Sequence, residues 1–398
     1  MSAPAASGRL SGAIAAAELL EEVRRVAREV AAAHADEVDR RARFPVEAID
    51  ALRGCGALSM AVPAELGGAG APLAEVARAG FELARCCAAT GMVFAMHQIQ
   101  VATIVRHLSL APAWFRGYLR ELATEQRLIA SITSEIGTGG DMGSSIAALT
   151  PAAGGMLTLE KRAPTVSYGA YADDFLTTAR RSPEAERGDQ VLVLHRAAET
   201  TLEPLGEWDT LGMRGTCSPG FAVRARFRAE QVLAEAVPTI LTESLVPLSH
   251  ILWSWVWLGI ATDAFERGRR FVRESARRNG GEPTHVASAL SRVMAELSLM
   301  RGEVSCALED YLRWSGEPER LSTLGAVLRF NNLKLAASEQ VQRICGGVLQ
   351  AIGIAAYRND TPFSVARHVR DALSARVMVA NDRIHATDAG LLLLAKEV

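Results

Sequence analysis

Apolar residues recur at helical spacing through the Ala- and Glu-rich stretch 14–35, and again from Leu73 to about Leu128 with a break near Pro112. Between these runs, Pro45 opens a further helix at the N1-type position that suits proline. That helix runs towards Leu52 and stops near Gly54 and Gly56. Pro63 and the run Gly67-Gly68-Ala69-Gly70 predict a turn-rich connection. Residues 1–130 therefore read as helix and loop, without a strand pattern.

The pattern changes over 131–233. Short alternating runs appear at Met156–Leu159, Phe175–Thr178, Val191–Leu194 and Phe221–Phe227, bounded by Gly and Pro. Such runs predict the strands of a small barrel or sandwich. From 234 to 398 long helical periodicity returns, interrupted at Asn279-Gly280-Gly281 and Ser315-Gly316-Glu317-Pro318. Four or five long helices packed as a bundle are expected. The reading is an α+β chain, mostly α, in three domains: a helical N-terminal domain (1–130), a central β-barrel or sandwich domain (131–233) and a C-terminal four-helix bundle (234–398). No internal repeat is present.

With 398 residues, 49% hydrophobic and 22% charged, the chain can bury a large core. A net charge of −2 supplies no basic excess to neutralise phosphates, so a nucleic-acid partner is not expected. The six cysteines include no C-x-x-C pair, so no metal site is expected. Met1 to Leu10 lacks the apolar core of a signal peptide, and a cytoplasmic location is expected. The apolar stretch Leu245 to Ala264 is broken by Pro247, Ser249, His250, Ser254 and Asp263, which favours a buried core helix over a membrane span.

Several motifs follow one another in order. They are Val62-Pro63-Ala64-Glu65-Leu66-Gly67-Gly68-Ala69-Gly70, Ser134-Glu135-Ile136-Gly137-Thr138-Gly139-Gly140-Asp141, Thr165-Val166-Ser167, Leu211-Gly212-Met213-Arg214-Gly215-Thr216, Arg277-Arg278-Asn279-Gly280, Gln350-Ala351-Ile352-Gly353, and Arg370-Asp371-Ala372 with Val379-Ala380-Asn381. Together with the α, β, α order, they resemble the acyl-CoA dehydrogenase family over most of the chain. In that family the motifs read P-x-E-x-G-G-x-G, T-E-P-G-A-G-S-D, W-I-T, L-G-x-R-G-S/T, R-x-x-F, Q-x-x-G-G-x-G, and R-D-A followed after six residues by E-G-T.

The resemblance implies bound FAD. Ser134, Thr138, Gly139, Thr165 and Ser167 would lie against the flavin ring, which needs donors near N5 and O4 when reduced. Gly140 stands where the family has a second hydroxyl, and the stacking tryptophan is absent. Arg277 would reach the flavin diphosphate of a neighbouring subunit, and Gln350, Gly353 and Asn381 would be further cofactor contacts, with Gln342 and Gly346-Gly347 as a rival alignment for the glutamine motif. Gly280 replaces the family's phenylalanine, its later glutamine falls near Ser288, and Asn381 replaces a threonine. A homodimer or homotetramer follows by the same analogy.

The family's glutamate base falls on Val379, which cannot accept a proton. Another base slot known in the family falls on Ser249. Three residues could serve instead: His250, on the Trp-rich helix with Trp253, Trp255 and Trp257; Asp382, just past the usual slot; and His97, on an N-terminal helix that borders the family's substrate cavity. The first expected function is a flavin-dependent dehydrogenase or oxidase acting on an acyl thioester of coenzyme A or a carrier protein, passing electrons to a flavoprotein or to oxygen. A narrow second is a monooxygenase of the same fold fed by a flavin reductase, which needs no α-proton base. A third is a scaffold that has lost its flavin.

Overall fold

The computed structural model describes residues 5–139, 141–282 and 285–394, with side chains described from residue 16 onward. The N-terminal part holds α1 (Ala5–Val26), α2 (Ala32–Arg41), α3 (Val46–Gly54), α4 (Leu73–Cys86), α5 (Ala88–Arg106) and α6 (Ala113–Glu125). Proline starts three of these helices from just outside. Pro45, Pro72 and Pro112 are the N-cap residues of α3, α4 and α6, so Pro45 stands one position earlier than expected. A break without Gly or Pro was not legible in the sequence. Cys87 alone adopts an extended conformation (φ −144°, ψ 109°) between α4 and α5. The corner is tight, for a Cβ on Gly91 would lie 2.7 Å from Ala84.

Seven strands follow: β1 (Ile129–Ile132), β2 (Leu149–Ala152), β3 (Met156–Ala163), β4 (Asp174–Arg180), β5 (Gln190–Arg196), β6 (Thr200–Pro204) and β7 (Phe221–Arg228). They form two sheets, β1-β4-β5 and β2-β3-β7-β6, in which only β1 and β4 pair in parallel. Leu149, Leu159, Val191, Val193, Ala225 and Phe227 form a shared apolar core. The alternating runs are β3, β4, β5 and β7. The unforeseen strands lacked alternation for physical reasons. β1 is buried at both ends and packs against α5, while β2 and β6 are edge strands that contain Pro151 and Pro204.

The C-terminal part holds α7 (Val237–Ile240), α8 (Val246–Arg278), α9 (His285–Trp314), α10 (Pro318–Leu321), α11 (Leu324–Ile352), α12 (Ile354–Tyr357), α13 (Ala366–Val377) and α14 (Asn381–Leu392). Three helices are long, fewer than the four or five expected. The fourth rod of the bundle is split into α13 and α14 at Met378–Ala380. The apolar stretch 245–264 lies within α8, whose most apolar window is 83% buried, as a core helix requires. His250 lies opposite Phe330 and Gly268 against Val348, so α8 and α11 run parallel. α13 returns alongside α8, with His368 bonded to Asp263 at 2.7 Å.

Candidate functional site

The loop after β1 is pinned from below. The buried Glu135 carboxylate accepts from Ser145 Oγ (2.7 Å), Ile146 N (3.0 Å) and Ala147 N (2.7 Å). Lys161 Nζ stands 3.7 Å away and donates to the carbonyl and hydroxyl of Thr178. Burial pushes its amine down to about 8, and Glu135 opposes that shift. Ile136 N donates to Arg162 O at 2.8 Å, which ties the loop to β3. Gly137 (φ +97°) and Gly139 (φ +62°) take the left-handed conformations that let the loop turn outward.

The structure brings Ser134 and Thr165 together, with Ser134 Oγ donating to Thr165 O at 2.9 Å. Thr138 Oγ1 donates back to Glu135 O at 3.1 Å. Thr165, Val166 and Ser167 follow β3 as a loop, because Val166 N turns to Pro219 O. Gly140 lies outside the described residues. Among those described, the backbone N–H groups of Gly137, Thr165 and Ser167 and the hydroxyl of Ser167 find no acceptor. Thr165 is exposed and Ser167 half-buried. An accessible edge of unspent donors fits a flavin ring.

Arg277, Gln350 and Gly353 stand elsewhere. Arg277 is exposed in the last turn of α8, and Gln350 is exposed in the last turn of α11. Gly353 ends α11 at φ +73°, ψ −136°. Because α8 and α11 run parallel, all three share one end of the bundle, and His250 lies towards the other.

The three candidate bases differ. His97 is fully buried, with Nε2 against Leu58 O (2.7 Å) and Nδ1 accepting from Ile129 N (3.0 Å). Burial holds it down to about 4. It braces α5 against β1, and neither ring nitrogen is left to take a proton. Asp382 is exposed to solvent in the first turn of α14. His250 is buried, and its Nδ1 donates to Phe330 O at 3.0 Å. That bond leaves a lone pair on Nε2, which has no partner among the described residues. Burial first, and the neighbouring Lys334 second, push the ring down to about 3, so it is neutral at physiological pH.

Val379 occupies the turn between α13 and α14 at φ +46°. Its carbonyl accepts from Lys334 Nζ at 2.8 Å. The same amine donates to Asn381 Oδ1 at 2.5 Å, and Asn381 Nδ2 donates to Ser338 Oγ at 3.0 Å. Asn381 is thus buried in a side-chain network rather than open to a cofactor in this chain. Lys334 was missed from the sequence, where a lysine on a helix reads as surface. The available signal was its place at i+4 from Phe330 and i−4 from Ser338, on the stripe that α11 buries.

The remaining motifs lock the domains together. Arg370 Nη1 donates to Asp39 Oδ1 of α2 at 2.9 Å. Asp371 accepts from Met213 N at 2.7 Å, and Arg214 Nε donates to Asp39 O at 2.9 Å. A Cβ on Gly212 would stand 2.1 Å from Arg370 O, and one on Gly215 2.3 Å from Val38. Two motifs far apart in sequence are therefore one interlocked joint.

The acyl-CoA dehydrogenase N-terminal domain family matches residues 15–126. L-evernosamine nitrososynthase of Micromonospora sp. is 30% identical over 370 residues, which cover 89% of this chain and 85% of that protein. Cyclohex-1-ene-1-carbonyl-CoA dehydrogenase of Syntrophus aciditrophicus is 24% identical, with 94% and 89% covered. The FMN-bound structure of the dibenzothiophene monooxygenase TdsC from Paenibacillus sp. A11-2 superposes with a TM-score of 0.81 at 21% identity, covering 94% of this chain and 97% of that one. The chain belongs to the acyl-CoA dehydrogenase family, as a divergent member.

Proposed function

We propose that the protein is a flavin-dependent monooxygenase that acts on an amine and is supplied with reduced flavin by a separate reductase. The observation that carries this reading is the Val379 turn, which offers an isopropyl group backed by a buried ammonium where α-proton abstraction needs a carboxylate. None of the three replacement bases repairs the loss. His97 is spent on two backbone groups, Asp382 faces solvent, and His250 is held too acidic to keep a proton. This reverses the order in which the sequence alone placed the two reactions. A relative at 30% identity is a nitrososynthase, named for an amino sugar, which supports nitrogen as the atom oxidised.

A reduced flavin, when bound, supplies the electrons that activate oxygen, so that one oxygen atom goes to nitrogen and the other leaves as water. The residues of this chain have three tasks. The Ser134–Thr138 loop and Ser167 present donors to the ring. His250 Nε2 can accept a hydrogen bond from a substrate N–H. The Lys334 charge disfavours a second cation nearby, which keeps a bound amine neutral and nucleophilic. FAD or FMN would suit the ring site, and Arg277 and Gln350 would be used only by the dinucleotide.

The test supplies the protein with flavin, a flavin reductase, NADH and air, and screens amines, amino sugars first, for products heavier by one or two oxygen atoms. Oxygenated amine that depends on the protein is the expected result. Anaerobic bleaching of the bound flavin by an acyl thioester would overturn the reading in favour of dehydrogenation, for which the 24% identical dehydrogenase speaks.

A further inference from the structure

Two unusual features meet at one hydrogen bond. The first is the backbone of Val379. A β-branched residue at φ +46° is strained by about 1–3 kcal/mol and persists only where its surroundings enforce it. The second is Lys334, which has no solvent exposure and no ion pair among the described residues. Its ammonium is held only by neutral oxygens, Val379 O at 2.8 Å and Asn381 Oδ1 at 2.5 Å. A buried charge without a counter-ion is costly, and such groups concentrate at functional sites.

No other titratable group described nearby pairs with this amine. From α8, His250 is neutral and turned to Phe330 O. From α13, Arg376 adds positive charge. From α14, Asn381 completes the clamp, and Asp388 takes Asn331 Nδ2 on Oδ1 at 2.6 Å and makes no bond to the amine, its Oδ2 being unpartnered among the described residues. On α11 itself, Ser338 accepts from Asn381 and donates to Leu335 O at 2.9 Å.

We infer that Lys334 is a positioning residue of the reaction site, whose ammonium draws the Val379 carbonyl and the Asn381 amide inward and so holds the turn between α13 and α14 with the Val379 side chain outward. The carbonyl points into the bundle and Val379 is left exposed, on the turn where the family's motif carries its base. The turn is therefore set by an amine one helix away and not by its own sequence. The assignment does not depend on which reaction the site performs.

Burial brings the amine down to about 8, with Arg376 adding to the shift, so the clamp loses its charge in mildly alkaline solution. The decisive measurement is amide hydrogen exchange of the protein without substrate, comparing Lys334→Met with the parent. Exchange at Met378, Arg383 and Ile384, whose amides donate to Ser374 O and Ala380 O on the two sides of the turn, should quicken at least tenfold, with the rest of α8, α9 and α11 unchanged. Adding Val379→Gly to Lys334→Met should not restore protection. Unchanged exchange in the turn would overturn the assignment. If Lys334→Met does not fold, Asn381→Ala is measured in its place, with the same expectation and the same overturning result.

A second readout separates positioning from mere packing. The alkaline limb of turnover, for whichever substrate proves active, should move upward in Lys334→Arg, since guanidinium stays charged. A limb at the same pH in parent and Arg variant would show that the charge does no positioning. Exchange uses no substrate, so failure of the oxygenase reading and failure of this assignment give different results.

Discussion

The middle of α13 and the turn that follows it have opposite characters. In the first, Arg370 and Asp371 are bound to α2 and to the Met213 backbone, and the facing glycine has no room for a methyl group. A few residues on, the chain leaves the helix at Val379 in a strained conformation, and its carbonyl accepts from a lysine on another helix. The first region matches the family motif residue for residue, and the second departs from it. Family likeness here resides in a joint between domains, and that joint makes no statement about the reaction. A chain can keep the joint and change the chemistry because the two are separate sets of bonds.

The joint should break most violently. Gly212→Ala sets a methyl group against the Arg370 carbonyl. It should cost about 3–5 kcal/mol, seen as a large fall in melting temperature or loss of soluble protein. Asp371→Asn tests the same joint through pH. Burial raises the Asp371 carboxyl to about 6, above its ordinary 3.8, with Arg367 opposing. The folded state therefore binds the proton more tightly than the unfolded state. The stability that Asp371 contributes is complete below about pH 4 and is lost as pH rises through about 6, a span of about 3 kcal/mol. Asn cannot ionise, so the variant should gain on the parent across that window in melting curves at pH 4 to 7. A constant difference would mean that Asp371 stays charged in the fold.

The turn should respond more gently. Val379→Gly removes the strain of a left-handed β-branched residue and should change stability by about +0.4 to +1 kcal/mol. A loss would show that the isopropyl packing outweighs the strain. Asp382→Asn should leave melting and turnover unchanged, within about 0.5 kcal/mol, because the side chain is exposed. A strong loss of turnover with normal folding would return Asp382 to the list of bases.

The sequence showed the α, β, α order, the four alternating strands and the Gly-rich loop after β1, because each is a local pattern or a short motif. It concealed β1, whose burial removes alternation, and the corner at Cys87, where packing rather than Gly or Pro turns the chain. At the site it named His250 and Asn381 but not Lys334. The residue that links them gains its meaning from burial between helices that are distant in sequence. His97 was visible as a buried histidine on α5, yet its two backbone bonds are properties of the fold.

One feature of α8 acts as a ruler. His250 and Arg277 lie on the same uninterrupted helix, and their separation of 27 positions (277 − 250) spans about 40 Å. No single flavin dinucleotide covers that length along a rigid rod. If Arg277 grips a flavin diphosphate while a ring lies beside His250, the two belong to different flavins, and each chain is half of two sites. Cofactor retention then becomes a matter of mass action between subunits. Diluting the protein at a fixed concentration of free flavin would then release flavin, whereas a flavin held within one chain would keep its occupancy under the same dilution and leave Arg277 a surface charge.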